Sequence, residues 1–249
     1  MRAARLPAAM DRPTPPSDSP PLLRLDSALQ LLAHSGQPQP AGEPGTPVWI
    51  QGLIDALVDL SSRDALTGLA NRRSFDLALA REIDRVARSG EPALLLTLDI
   101  DHFKRVNDSH GHNAGDLVIQ AVAKALLECV RPMDLVARVG GEEFAIILPN
   151  CPSAFGETVA ERVRRCIERM PVTIGQGQTL AVSVSIGGAF APQWVRSMPS
   201  LWVERADQQL YRAKALGRNV VQLEPAAVSL VSNEEKRLLF ESSSFQDFE

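Results

Sequence analysis

The sequence predicts an α/β (α+β) fold in which a mixed central β-sheet is flanked by helices and preceded by a short N-terminal helix. Three observations carry this. Ala93-Leu94-Leu95-Leu96-Thr97-Leu98 is a continuous apolar run of strand length, the pattern of a strand buried on both faces. Stretches with helically spaced apolar residues alternate with such runs, as when helices cover a sheet. Gly140-Gly141 lies between two short β-prone stretches, which predicts a tight turn with φ > 0 and an antiparallel pair in the middle of the alternation.

Composition narrows the class. The chain has 249 residues, 45% hydrophobic and 22% charged, an ordinary globular balance sufficient for one or two domains. A net charge of -4 gives no broad footprint for nucleic acid, so any phosphate ligand must be held by local cations or a metal. Cys129, Cys151 and Cys166 are odd in number and lack CxxC or metal-like spacing, which reads as core or surface thiols in a reducing compartment. No apolar run has signal-peptide character or approaches the roughly 20 residues that span a bilayer, so a cytoplasmic protein without a membrane span is expected.

Residues 1–47 are Pro-, Ala- and Ser-rich and are expected to be mostly disordered, apart from a short amphipathic helix within Leu22 to Leu32. Over 48–63, Ile50, Leu53, Leu57 and Leu60 have the spacing of a coiled-coil seam. The stretch is a short stalk helix that either pairs with a second copy or docks on its own chain. The main domain is expected over 64–224. Its first helix runs from Arg73 to about Ser89 with Phe75, Leu77, Ala80 and Ile83 inward, and the apolar strand then ends in Asp99-Ile100-Asp101. A helix over 114–130, the hairpin over 135–149, a helix over 153–170, a strand over 180–190, a helix over 201–216 and a last strand over 219–223 complete it. The tail, 225–249, reads as a short helix around Asn233 to Phe240 and a frayed acidic end.

Acidic residues gather at the ends of these elements. Asp99 closes a buried strand, the position where ligand chemistry is usually found in α/β sheets, and Glu142 and Glu143 follow the glycines. Alone, Gly140-Gly141-Glu142-Glu143 could equally be a solvated turn. Together with Asp99 it supplies hard oxygen donors of the kind that Mg²⁺ prefers, and three such acids without a cation would repel one another. Lys214 and Arg218, four apart, share a helical face or straddle a helix end; as a pair they read either as a phosphate clamp or as a solvated basic face. Arg131-Pro132-Met133-Asp134 is a local ion pair or half of a guanine-reading pair.

Five blocks in order (Asp64 to Arg73, Asp99 to Asp108, Gly111 to Asp116, Gly140 to Phe144, and Ala206-Asp207 with Tyr211 to Asn219) resemble the GGDEF family of diguanylate cyclases, here as a GGEEF variant. The resemblance implies a nucleotidyl-cyclase-like fold and condensation of two GTP into cyclic di-GMP and two pyrophosphates across a homodimer. It places two Mg²⁺ ions per active site, with Mn²⁺ as a substitute, on Asp99, the Ile100 carbonyl, Glu142 and Glu143. Catalysis then falls to Glu142, Glu143, Asp99 and Lys104. GTP is assigned His102, Phe103, Lys104, Asn107, His112, Asp116, Gly140, Gly141, Lys214 and Arg218, with Asn107 and Asp116 reading guanine. Arg131, Asp134 and Arg162 match the family's product-inhibition site. The alternative is a catalytically silent sensor of the same fold that binds GTP or cyclic di-GMP. A regulatory protein is a further expected partner, on the N-terminal helix or the C-terminal tail.

Overall fold

The protein is described here by a computed structural model that defines residues 23–175 and 177–225. The chain forms two compact units, Met1–Leu60 and Ser61–Glu249. In the first, α1 (Asp26–His34) falls on the expected leucine-rich stretch and α2 (Pro47–Ser62) on the expected stalk. Leu32, Trp49 and Leu53 are buried together, with Leu25, Leu29, Ile50 and Leu57 packed around them. Of the α2 seam residues, Leu53 is buried with Leu32 of α1 and Trp49, while Ile50, Leu57 and Leu60 pack around that cluster and stay partly exposed. The helix expected near Asn233 to Phe240 lies outside the described residues.

The second unit is built on β1 (Ala93–Ile100), whose eight residues are all buried. The sheet order is β2-β3-β1-β6-β7, with β2 at Leu135–Arg138, β3 at Glu143–Pro149, β6 at Val184–Phe190 and β7 at Val221–Leu223. β1 is antiparallel to both β3 and β6, and β7 runs parallel to β6, so the sheet is mixed as expected. One face carries α5 (His112–Cys129) and α6 (Ser153–Glu168) over Leu94, Leu96, Leu98 and Ile100. The other carries α3 (Arg72–Ser89) and α7 (Pro199–Ala215) over Ala93 and Leu95. This alternation along β1 decides which face Asp99 belongs to. Gly187 permits the closest approach, because a Cβ there would meet the Leu210 amide of α7 at 2.1 Å.

Several local expectations change. In α3, Leu77, 55% exposed, and Ala80 face outward and Leu79 is buried instead, since Phe75, Leu79, Ile83 and Val86 follow the helical stripe. A helix not expected from the apolar pattern, α4 (Phe103–His110), is short and polar, with only Phe103 buried. The strand expected over 180–190 is two pieces, because β5 (Thr179–Ala181) pairs with β4 (Pro171–Thr173) as a separate ribbon. The glycine turn is also wider than a two-residue hairpin. Arg138 pairs with Phe144 and the chain between them bridges back through Val139 and Gly140 amides to the Glu143 carbonyl, at 2.9 and 3.3 Å. Neither Gly140 nor Gly141 has positive φ. A Cβ at Gly140 would lie 2.2 Å from Glu143 Oε2, the end of an exposed side chain that can move aside.

Among the described residues, no helix is long and apolar enough to cross a membrane.

Candidate active site

The acids converge at one end of the sheet. In the β1–β3 register Asp99 stands opposite Glu143, and Glu142 sits in the turn with its carbonyl accepting from the Ile100 amide at 3.2 Å. Asp99 is 8% exposed, on the face covered by α7, and Lys214 from the last turn of that helix places Nζ 2.8 Å from Asp99 Oδ2. Burial, reinforced by the charge of Asp99, pushes the Glu142 carboxyl above its usual range; Lys214 works against this and Glu143 adds to it. Such an acid cluster lowers its own energy by taking up a cation. The donors are all hard oxygens with the right charge for Mg²⁺, so residue type and electrostatics fit the ion. Among the described residues no three acids or other ligating side chains yet stand in an ion-holding group. Lys214 neutralises Asp99, and the Glu143 carboxylate lies against Gly140.

Two braces that the sequence motifs contained, but to which no role had been assigned, hold this end of the sheet. Arg138 donates from Nε and Nη2 to the Gly141 carbonyl at 3.1 and 2.8 Å, fixing the turn from below. Its Nη1 donates to both carboxylate oxygens of Asp64 at 3.1 and 3.2 Å, and Asp64 also accepts from the Thr67 amide and hydroxyl. The second brace is Asp101, 6% exposed. It accepts from the Ser183 hydroxyl at 2.7 Å, the Ser185 hydroxyl at 2.6 Å and the Asn219 amide at 3.0 Å. It thereby ties the end of β1 to β6 and to the turn after α7. That turn is left-handed at Arg218 and Asn219, with φ of 67° and 50°. The available signal was the pair of acids spaced two apart at a strand end.

The remaining assigned residues fall into three groups. Lys104 and the exposed His102 begin α4, with His102 in the left-handed conformation at φ 57°, while Phe103 is buried in the core. Asn107, on α4, faces the first turn of α5: its Oδ1 is buried without a hydrogen-bond partner and lies where a Cβ on Gly115 would be, 2.0 Å away. His112 and Asp116 are exposed on that same first stretch of α5. Arg218 is exposed in the turn beyond α7, not on the helix with Lys214, because α7 ends at Ala215. At the far end of α5, Arg131 is paired with Asp134 (Nη2 to Oδ1, 2.9 Å) and donates to the Pro149 carbonyl at 2.9 Å. Arg162 reaches the same region, donating to the Cys129 carbonyl at 2.8 Å.

The mixed sheet thus presents a strand-end carboxylate, two carboxylates of the turn and a helix-borne lysine at one end of its central strands. The family model described as "Diguanylate cyclase, GGDEF domain" matches residues 61–220, and the chain belongs to that family. The response regulator PleD of Caulobacter vibrioides is 38% identical over 174 residues, covering 70% of this chain and 38% of PleD. Diguanylate cyclase DosC of Escherichia coli is 38% identical over 168 residues, 66% of this chain and 35% of DosC. The chain thus spans well under half the length of these two relatives. Among solved structures, the coiled coil and GGDEF domain of DgcB from Caulobacter crescentus, in complex with cyclic di-GMP, superposes with a TM-score of 0.67 at 33% identity. That match covers 70% of this chain and 92% of the other. Diguanylate cyclase SiaD from Pseudomonas aeruginosa, in complex with its activator SiaC, gives 0.65 at 38% identity, over 70% and 66% of the two chains.

Proposed function

We propose that the protein is a diguanylate cyclase that joins two GTP molecules into cyclic di-GMP with release of two pyrophosphates. The observation that carries this is the convergence of Asp99, Glu142 and Glu143 on one sheet edge with Lys214 against them. A sensor that never turns over has no chemical need for that set. Asp99, the Ile100 carbonyl, Glu142 and Glu143 would hold Mg²⁺, or Mn²⁺ in its place, which when bound stabilises charge on the α-phosphate and on leaving pyrophosphate. Lys214, Lys104 and Arg218 bind the triphosphate, with the backbone at His102 and Phe103 and the glycines of the turn allowing close approach. Glu142 would help to deprotonate the attacking 3′-hydroxyl or hold the metal that does so. The buried, unpartnered Asn107 Oδ1 is complementary to a base that offers N–H donors, and with Asp116 it selects guanine over adenine, His112 lying on the wall of the same pocket.

One domain holds one GTP, so the reaction needs two domains facing one another, and the active form is a homodimer. Arg131, Asp134 and Arg162 form a feedback site for cyclic di-GMP, in which each arginine must exchange a carbonyl or carboxylate of its own chain for the guanine edge. The activator complex of SiaD supports a regulatory protein as a further partner here, on the N-terminal helix or the C-terminal tail. Incubating purified protein with GTP and Mg²⁺ and reading the product by mass tests the central reading. Cyclic di-GMP is expected; GTP bound but recovered unchanged would establish the silent sensor instead.

A further inference from the structure

Cys129 and Cys166 stand apart from the acid cluster, at the contact of α5 with α6. Cys129 is the last residue of α5 and is 8% exposed, and its carbonyl is the acceptor for Arg162. Cys166 lies one helical turn beyond Arg162, so the face of α6 that brings Arg162 to the end of α5 brings Cys166 there as well. Both side chains belong to one packed cluster and both thiols are free. Burial, together with the neighbouring Cys166 thiol, pushes the Cys129 thiol up to about 12. Cys166 in contrast is partly open and lines a cleft of about 650 Å³ with Arg162, Arg165 and Arg169. Cys166 is the thiol of the two that an oxidant can reach, and Cys129 is the neighbour placed to close a disulfide with it once Cys166 is oxidised.

We propose that Cys129 and Cys166 are a reversible oxidation site that a peroxide closes to an intramolecular disulfide, and that closure weakens cyclic di-GMP binding at Arg131, Asp134 and Arg162. Cys166 gives its proton to water, and its sulfur attacks one peroxide oxygen. The O–O bond breaks, the leaving hydroxide takes a proton, and Cys166 becomes a sulfenic acid. Cys129 then loses its proton and attacks the Cys166 sulfur, the S–O bond breaks, and a second water leaves. In sum two thiols and one peroxide give one disulfide and two waters. An S–S bond of about 2.0 Å draws the end of α5 against α6 and keeps Arg162 on the Cys129 carbonyl, where it cannot turn to a ligand. This second half rests on the product-inhibition reading above; the disulfide does not.

The full chain is treated with hydrogen peroxide, and its thiols are titrated and its peptides mapped by mass. Free thiols are expected to fall from three to one, with residues 129 and 166 in one linked peptide, and to return to three with dithiothreitol. Cys166→Ser, at the more exposed position, must abolish the loss, and Cys151→Ser must leave the link intact. Three thiols persisting, or links between chains, would overturn the site. Calorimetric titration with cyclic di-GMP then compares oxidised and reduced protein. Affinity at least tenfold weaker on oxidation supports the coupling, and equal affinity overturns it. Absence of binding to the reduced protein would remove the product-site reading and the coupling with it, while the thiol count stands by itself.

Discussion

Glu142 and Glu143 differ in surroundings although they are neighbours. Glu142 is half-buried and feels Asp99, whereas Glu143 is exposed and folded over Gly140. Replacing either by Gln keeps volume and removes a hard-oxygen ligand, so each variant is expected to lose at least about two decades of turnover, roughly 2.7 kcal/mol in the barrier. The thermal midpoint should hardly move. Near-normal cyclic di-GMP synthesis by both would refute the ligand assignment. Asp101 acts at one remove, through the turn carrying Arg218 and Asn219. Asp101→Asn presents an amide donor where hydroxyl and amide donors point, leaving at least one buried group unpaired at a cost of about 1–3 kcal/mol. The expected signature is a KM for GTP raised about tenfold with a smaller change in kcat, which a merely destabilised fold would not produce. A kcat loss at unchanged KM would assign Asp101 a different role.

At the scale of elements, the hairpin tip is held from the segment that follows α2, through Asp64, Arg138 and the Gly141 carbonyl. Asp64→Asn removes the anchor of a mostly buried guanidinium and should loosen the tip, lowering kcat at least fivefold with little effect on cyclic di-GMP binding at Arg131; equal rates would show that the tip is rigid without it. On α6, Glu161 binds both Arg164 and Arg165, which hold its carboxyl down at about 2, with some opposition from burial. A depressed carboxyl contributes stability that is present above its ordinary value near 4.5 and is lost as pH falls toward about 2. Glu161→Gln should therefore be less stable than wild type at neutral pH and equal to it near pH 2, judged by urea midpoints. A constant gap across that range would mean the pairs contribute nothing. These elements also show what the sequence could reveal. The buried run of β1 and the apolar stripes of α5, α6 and α7 were legible because burial on a sheet imposes a period. α4 was not, because it buries a single side chain and is placed by its neighbours. The turn geometry at Gly140 escaped because neither glycine has a positive φ and the chain closes instead through the Val139 and Gly140 amides on the Glu143 carbonyl. The strand-end and hairpin acids could be read because their chemistry is local. The clasp of Asp101 joins residues 82, 84 and 118 positions apart, a relation no local pattern contains.

For the whole molecule, the proposed condensation of two GTP would need two copies of the domain, each holding one substrate, so its rate would be set by how often two such sites face one another. Among the described residues, the α1–α2 unit is one part of the chain that could influence that frequency, because the second unit has its own core on both faces of the sheet. Its own core is small. Leu32, Trp49 and Leu53 are buried within one copy, and Val48 and Ile54 stay exposed on α2. An α2 of 16 residues offers barely two heptads, too short a seam to clamp a dimer firmly. Activity per subunit should accordingly rise with protein concentration. Removing residues 1–59 should lower specific activity several-fold at nanomolar protein and much less at tens of micromolar, because mass action replaces what the helices contribute. The measurement is initial rate per subunit across a dilution series for the full and shortened chains, with sedimentation reporting the dimer fraction at each point. Flat specific activity over a hundredfold dilution in both chains would show a dimer held tightly by the catalytic units themselves, and the α1–α2 unit would have no part in assembly.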